Sequence, residues 1–243
     1  MNKDGWFRDW FDSEYYHLLY NKRDDSEADF FINNICKYLQ LNPSAKIWDL
    51  ACGKGRHTLA FGKKGFSVTG TDLAKNSIKT ALETEEPNVE FFVHDMRRPF
   101  RVNYFDCVVN LFTSIGYFDR YNDNFLVFDN VYSSLKPGGI FVVDFFNAEK
   151  VKETLLPEYT EQRDDVTFHI TKCIANNIIH KKINFEHRLK KFEFEETVSL
   201  LKKEDFEKFA EKSGFTLQTI FGNYALEPFN EKTSDRLILL FKK

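Results

Sequence analysis

Two acids, Asp49 and Asp72, bracket a turn of small residues, Ala51-Cys52-Gly53-Lys54-Gly55. The stretch that holds them, KIWDLACGKGRHTLAFGKKGFSVTGTD from Lys46 to Asp72, has a short apolar run, the turn and a helix-like segment from Arg56 to Lys64. A second apolar run, Phe66 to Thr71, then closes on Asp72. Strand, glycine loop, helix, strand and acid make a βαβ unit suited to a nucleotide. Gly53 and Gly55 permit backbone angles and close approach that a side chain would block. An acid about 20 residues past such a loop is placed to take both hydroxyls of an adenosine ribose. Asp49, at the mouth of the loop, would repel a phosphate and suits a cationic amino group. Thr58 stands where a dinucleotide fingerprint has its third glycine, so nothing here points to a pyrophosphate. Adenosine at one end and an amino acid at the other describe S-adenosylmethionine.

Further stretches agree in order and spacing. Asp49-Leu50-Ala51-Cys52-Gly53-Lys54-Gly55 resembles the first motif of class I S-adenosylmethionine-dependent methyltransferases, and Thr71-Asp72-Leu73 resembles their ribose-binding acid. Asp95-Met96 is similar to the acid ending the third strand near the adenine. Leu135-Lys136-Pro137-Gly138-Gly139, followed by Ile140-Phe141-Val142-Val143-Asp144, is similar to the turn and fifth strand of that fold. The likeness spans residues 43–147. It implies an α/β protein with a seven-stranded, mostly parallel Rossmann-like sheet, its last strand antiparallel between the fifth and sixth. It implies cofactor contacts from Asp49, Ala51, Gly53, Gly55, Asp72, Leu73, Asp95 and Met96. Asn110, Leu111 and Phe112, ending the fourth strand at Phe105–Asn110, would lie beside the sulfonium, because strand C-termini face the ligand crevice.

The elements around this core follow from periodicity. Trp6 with Trp10 and Phe7 with Phe11 are i,i+4 pairs, so the first segment reads as a helix with an apolar face. It either packs on the core or forms a lid in which Tyr16, Tyr20 and Arg23 face the site, and Arg23 could fork onto the cofactor carboxylate. Ser26–Leu41 reads as the helix before the first strand. Three strands, Phe168–Ile174, Ile178–Phe185 and Phe192–Leu200, are expected as a small antiparallel β flap on the crevice side. The expected layout is one domain: a lid over residues 1–42, the core over 43–147, the flap over 155–201, and a C-terminal helix and strands over 202–243. Arg97-Arg98 reads as a solvated turn, and Glu193, Glu195 and Glu196 as a solvated face.

No residue declares itself a general base; Tyr20, Tyr117 and His169 are the candidates. No metal is expected, because Asn110 stands where a catechol-type enzyme needs an acid opposite Asp144. The loop Asn110-Leu111-Phe112-Thr113 departs from the Asn/Asp-Pro-Pro-Tyr/Phe of enzymes that methylate nucleobases or protein amides. The formal net charge of -3 gives no general attraction to nucleic acid or an anionic membrane. Cys36, Cys52, Cys107 and Cys173 lack paired spacing and read as thiols of a reducing cytosol, and no leader or span is expected. The reading is therefore a cytoplasmic methyltransferase with a small-molecule acceptor, N- or O-methylated; nothing sets an oligomeric state. Its rivals are an RNA or protein methyltransferase, a non-catalytic S-adenosylmethionine-binding module and a nicotinamide enzyme.

Overall fold

The computed structural model describes residues 6–20 and 25–243, apart from the side chains of Arg8 and Asp25. Near-continuous apolar runs supply four strands buried on both faces: β1 (Lys46–Leu50), β4 (Phe105–Asn110), β5 (Leu135–Phe146) and β11 (Arg236–Lys242). With β2 (Ser67–Asp72), β3 (Val89–Val93) and β10 (Thr216–Phe221) they form one sheet in the order β10-β11-β5-β4-β1-β2-β3. All neighbours are parallel except β11, which runs antiparallel between β5 and β10. The expected seven-stranded sheet is thus the observed one.

Helices cover both faces. On one side α6 (Tyr121–Ser134) and α8 (Lys203–Ser213) meet Trp48, Val108, Phe141 and Phe241, with Phe128 at the centre of a group of phenylalanine rings. On the other, α3 (Asp25–Leu39) and α4 (Arg56–Gly62) set Phe31, Ile32 and Phe61 against Ile47, Val109 and Leu240. Much of the phenylalanine content is therefore core. Gly214, at φ 91, ends α8 in the left-handed conformation that glycine adopts without penalty. Helix α5 (Lys75–Ala81) connects β2 to β3, and α7 (Ala148–Thr154) follows β5, its first turn capped by the Asn147 side chain.

The flap has four strands rather than three: β6 (Glu158–Arg163), β7 (Val166–Ala175), β8 (Ile178–His187) and β9 (Lys190–Ser199), each antiparallel to the next. The polar sequence of β6 hid it, since it is an edge strand whose side chains alternate between exposed and half-buried. The short helices α1 (Trp6–Phe11) and α2 (Glu14–Leu19) lie on the inner face of this second sheet. Trp10 and Leu19 pack there against Phe168, Ile170, Ile183 and Phe185. Ser13 separates the two helices and caps α2 by accepting from the Tyr16 N–H at 3.1 Å. No helix among the described residues is long and apolar enough to cross a membrane.

Candidate functional site

The C-terminal ends of β1, β2, β3 and β4 open into a cavity of about 430 Å3, with α1 and α2 forming its opposite wall. The glycine turn shapes one end. Ala51 and Gly53 are left-handed, at φ 62 and 56, and a Cβ on Gly53 would project into open space. Gly55, at φ 83, is needed for packing rather than for contact: a Cβ there would stand 2.6 Å from the Phe91 ring. Asp72 fastens the turn to β2, one carboxylate oxygen accepting from Gly53 N and the other from Ala74 N, each at 2.8 Å. Burial raises the Asp72 pKa, and the backbone donors oppose that rise.

Asp49 lies beneath the turn and outside the cavity wall. It is 1% exposed, and the Thr58 hydroxyl donates to it at 2.6 Å. Thr58, in the third-glycine position, is thus the partner of a buried acid. Burial pushes the Asp49 pKa up to about 7 despite that bond. At the mouth of β3, Asp95 and Met96 line the cavity, but Asp95 is forked by Arg97 through Nε at 3.0 Å and Nη2 at 2.8 Å. Arg97 also donates to Asp123 at 2.9 Å and lies over the Phe7 and Phe118 rings. Arg97 is therefore a structural clamp and not a solvated turn residue.

The loop after β4 is strained. Phe112 and Thr113, consecutive and non-glycine, sit at φ 66 and 60. Asp144, fully buried at the end of β5, holds them. Its carboxylate accepts from Phe112 N at 2.9 Å, from Arg236 Nε at 2.8 Å and from the Tyr224 hydroxyl at 3.2 Å. Arg236 Nη2 also reaches Thr113 Oγ1 at 3.3 Å. Leu111, Phe112, Thr113 and Ser114 line the cavity, whereas Asn110 is buried behind them and donates to Leu50 O at 2.7 Å. Its Nδ2 thereby ties the end of β4 to that of β1, while its Oδ1 is buried with no hydrogen-bond partner among the described residues.

The far end is aromatic. Phe7, Phe11, Tyr16 and Tyr20 come from the lid, Tyr117 and Phe118 from the β4 loop. Their rings meet edge to face or tilted, Phe11 with Tyr117 at 5.1 Å and Tyr16 with Tyr20 at 4.8 Å between centroids. Tyr20 donates its hydroxyl to both oxygens of Glu196, at 2.9 and 3.1 Å. Burial, chiefly, raises its pKa well above the usual phenol range, which disqualifies it as a ready base. His169 is exposed on β7, away from the cavity, because alternate residues of that strand (Phe168, Ile170) take the inner face. Arg23 lies outside the described residues.

Two expectations about the flap are corrected. None of its residues lines the cavity; it supports the lid from behind. Glu196 is buried, not part of a solvated face: Trp10 Nε1 donates to it at 2.6 Å, and Lys181 pairs with it at 3.3 Å. The period of two could have found it, since Phe192, Phe194, Glu196 and Val198 share one face of β9. Among the described residues, no group of three or more His, Cys, Asp or Glu side chains converges as a metal site would.

Comparison with known proteins agrees with this geometry. Residues 47–139 match a family described as a methyltransferase domain. A putative methyltransferase of Geobacillus sp. (strain WCH70) is 24% identical over 94% of this chain and 97% of its own. The crystal structure of an S-adenosylmethionine-dependent methyltransferase from Clostridium acetobutylicum superposes with a TM-score of 0.78, covering 94% of this chain and 95% of that one at 21% identity. A sugar N-methyltransferase from Streptoalloteichus sp. superposes at 0.73, covering 94% and 92% at 16% identity, a shared fold.

Proposed function

We propose that this chain, a class I S-adenosylmethionine-dependent methyltransferase, methylates the nitrogen of a small amine. The observation that carries the choice is the aromatic wall opposite the glycine turn. When a neutral amine takes a methyl group from a sulfonium, positive charge passes to the nitrogen, and ring faces stabilise such a cation. A hydroxyl acceptor would need a base; Tyr20 is tied to Glu196 with its pKa raised, whereas His17, His57 and His94 also line the cavity, so the choice of an amine rests on the aromatic wall. The sugar N-methyltransferase of the same fold supports this reading.

The residues present fit the cofactor. The open face of Gly53, the Asp72 carboxylate and the pair Asp95 and Met96 would hold its adenosine part, with Ala51, Leu73 and Leu111 along the same wall. Cavity volume falls within the range of about 300–1,000 Å3 usual for small-molecule sites. S-adenosylmethionine supplies an electrophilic methyl on a good leaving group, so the protein's work is alignment and exclusion of water. The held Phe112–Thr113 loop forms one boundary of the reacting region, and the lid forms the other.

Calorimetric titration of S-adenosylmethionine into wild type and Asp72→Ala tests the cofactor assignment. The variant should bind about 100-fold more weakly, the loss of charged hydrogen bonds to loop and ligand. Methyl transfer to matched panels of small amines and alcohols then tests the acceptor. Products confined to the amines support the reading, and equal methylation of the alcohols overturns it.

A further inference from the structure

The lid is fastened unequally on its two sides. Toward the flap it is anchored in the interior, with Trp10 and Leu19 buried among Phe168, Ile170, Ile183 and Phe185. There Glu196 accepts from Trp10 Nε1 and from Tyr20 and pairs with Lys181, which also donates to the Tyr20 hydroxyl. The ions of this buried cluster thus satisfy one another away from water. Toward α5 the lid is held at the surface. Asp12, in the turn between α1 and α2, accepts from the Asn76 N–H at 2.6 Å through Oδ1, and its backbone carbonyl accepts from Asn76 Nδ2 at 3.1 Å. Asn76 is exposed. Beside this clasp, His17 Nε2 and Ser77 Oγ stand 3.4 Å apart.

The clasp lies next to Asp72, the acid assigned above to the adenosine part of the cofactor. Asp72 holds the Ala74 N–H at 2.8 Å, and Asp12 holds that of Asn76, two residues on. Asp72, Leu73, Ala74 and Ser77 line the cavity from the core, and Tyr16 and His17 line it from the lid, whereas Asp12 stays outside its wall. Elsewhere α1 rests on the β4 loop, where Phe7 and Phe11 meet Phe118 and Tyr117 edge to face. An exposed hydrogen bond competes with water and contributes little net stability, whereas the buried anchor would have to strand a charge to let go. The α5 edge is therefore where the lid parts from the core at least cost, swinging on the flap.

We propose that Asp12 is the latch of the lid: by clasping Asn76 it closes the cofactor end of the cavity, and its release is the step through which S-adenosylmethionine enters and S-adenosylhomocysteine leaves. This inference rests on the methyltransferase reading and deepens it. Latched, the lid covers the adenosine end and holds its share of the aromatic wall in one position, so a single surface contact serves both ends of the cavity. Asp12 acts only through the lid and is a positioning residue.

The test mixes the full chain rapidly with S-adenosylhomocysteine and follows the fluorescence of the lid tryptophans, Trp6 and Trp10, with the affinity taken from calorimetry. A latch that is made in both free and liganded protein slows entry and exit alike. Asp12→Ala should therefore raise the association and dissociation rates together, by about tenfold, and leave the dissociation constant within about threefold of wild type. Asp12→Asn keeps an oxygen for the Asn76 N–H and should return both rates to within about threefold of wild type. A rise in the dissociation rate alone, with affinity lost in proportion, would make Asp12 a ligand contact and overturns the proposal. Unchanged rates in Asp12→Ala overturn it too, placing the passage elsewhere, beside the exposed Lys54 on the cavity rim. Equal acceleration in Asp12→Asn and Asp12→Ala also overturns it, since charge and not the clasp would be the cause. Failure of S-adenosylhomocysteine to bind wild type overturns instead the methyltransferase reading beneath it.

Discussion

The two ends of the cavity are built differently. At the glycine turn the determining contacts are short in sequence: Thr58 to Asp49 spans 9 residues and Gly53 to Asp72 spans 19. They are made largely to backbone groups. At the aromatic end they are long: Lys181 to Tyr20 spans 161 residues, Tyr20 to Glu196 176 and Trp10 to Glu196 186, all through side chains. A βαβ unit is a local device that can hold one cofactor whatever surrounds it. The acceptor wall exists only when the first helices close on a sheet from the second half of the chain. Substitutions in the flap should therefore alter acceptor choice while sparing cofactor binding.

The contrast can be broken most severely where the two ends meet. Arg236 is the cation that pairs with fully buried Asp144, which in turn holds the strained Phe112–Thr113 loop between them. Arg236→Met leaves that carboxylate buried without its partner, a change worth about 3–5 kcal/mol of stability. Chemical denaturation should show this loss, with cofactor and acceptor affinities falling together. A variant that stays within about 1 kcal/mol of wild type would mean that the ion pair does not hold the loop.

A second effect belongs to the cofactor end alone. Unfolded, Asp49 ionises near the ordinary carboxylate pKa of about 3.9; folded, burial lifts it to about 7. Between these values the folded chain keeps a proton that the unfolded chain has lost. Burial of Asp49 thus subtracts stability progressively as pH rises through that window, and by a constant amount above it. Asp49→Asn keeps an oxygen for the Thr58 hydroxyl and removes the charge. Its stability relative to wild type should climb from pH 4 to pH 7 and then level, a swing on the order of 3 kcal/mol. A flat difference would show an acid already ionised throughout, and hence a turn more open to water than its burial indicates.

Legibility in the sequence follows the same division. The βαβ unit around Gly53 and Asp72 rests on local pattern and could be read directly, and the resemblance to the methyltransferase family implied the strand order and the antiparallel last strand. That Asp72 fastens the turn through two backbone donors was not legible. For Tyr16 and Tyr20 the family resemblance favours the lid over simple core packing, and for Tyr117 the rule that strand C-termini face the crevice points to the cavity that all three line. The burial of Asp49 beneath its turn and of Asn110 behind its loop could not be read, because strand ends alternate between facing a ligand and facing the sheet. Glu196 and Lys181 were hidden by their charge, which suggests solvent unless the period of the strand is weighed above residue type. His169 failed by the same rule, with its strand's alternation turning it outward.

The smallest effect sharpens what holds the lid on the flap. Beside the buried cluster runs a second polar chain, in which the Tyr15 hydroxyl meets His187 Nδ1 at 3.1 Å and His187 Nε2 meets Asp165 at 3.2 Å. Asp165 is 77% exposed, so water competes for its carboxylate and salt screens it. The Tyr15 ring, by contrast, packs on Phe185 and Phe192 with centroids 4.7 Å from each. Dispersion and burial should therefore carry the contact. His187→Gln should cost only about 0.5 kcal/mol by denaturation. A loss several times larger would make this exposed chain part of the support for the acceptor wall. The difference between the two ends would then extend from the buried cluster to the surface of the flap.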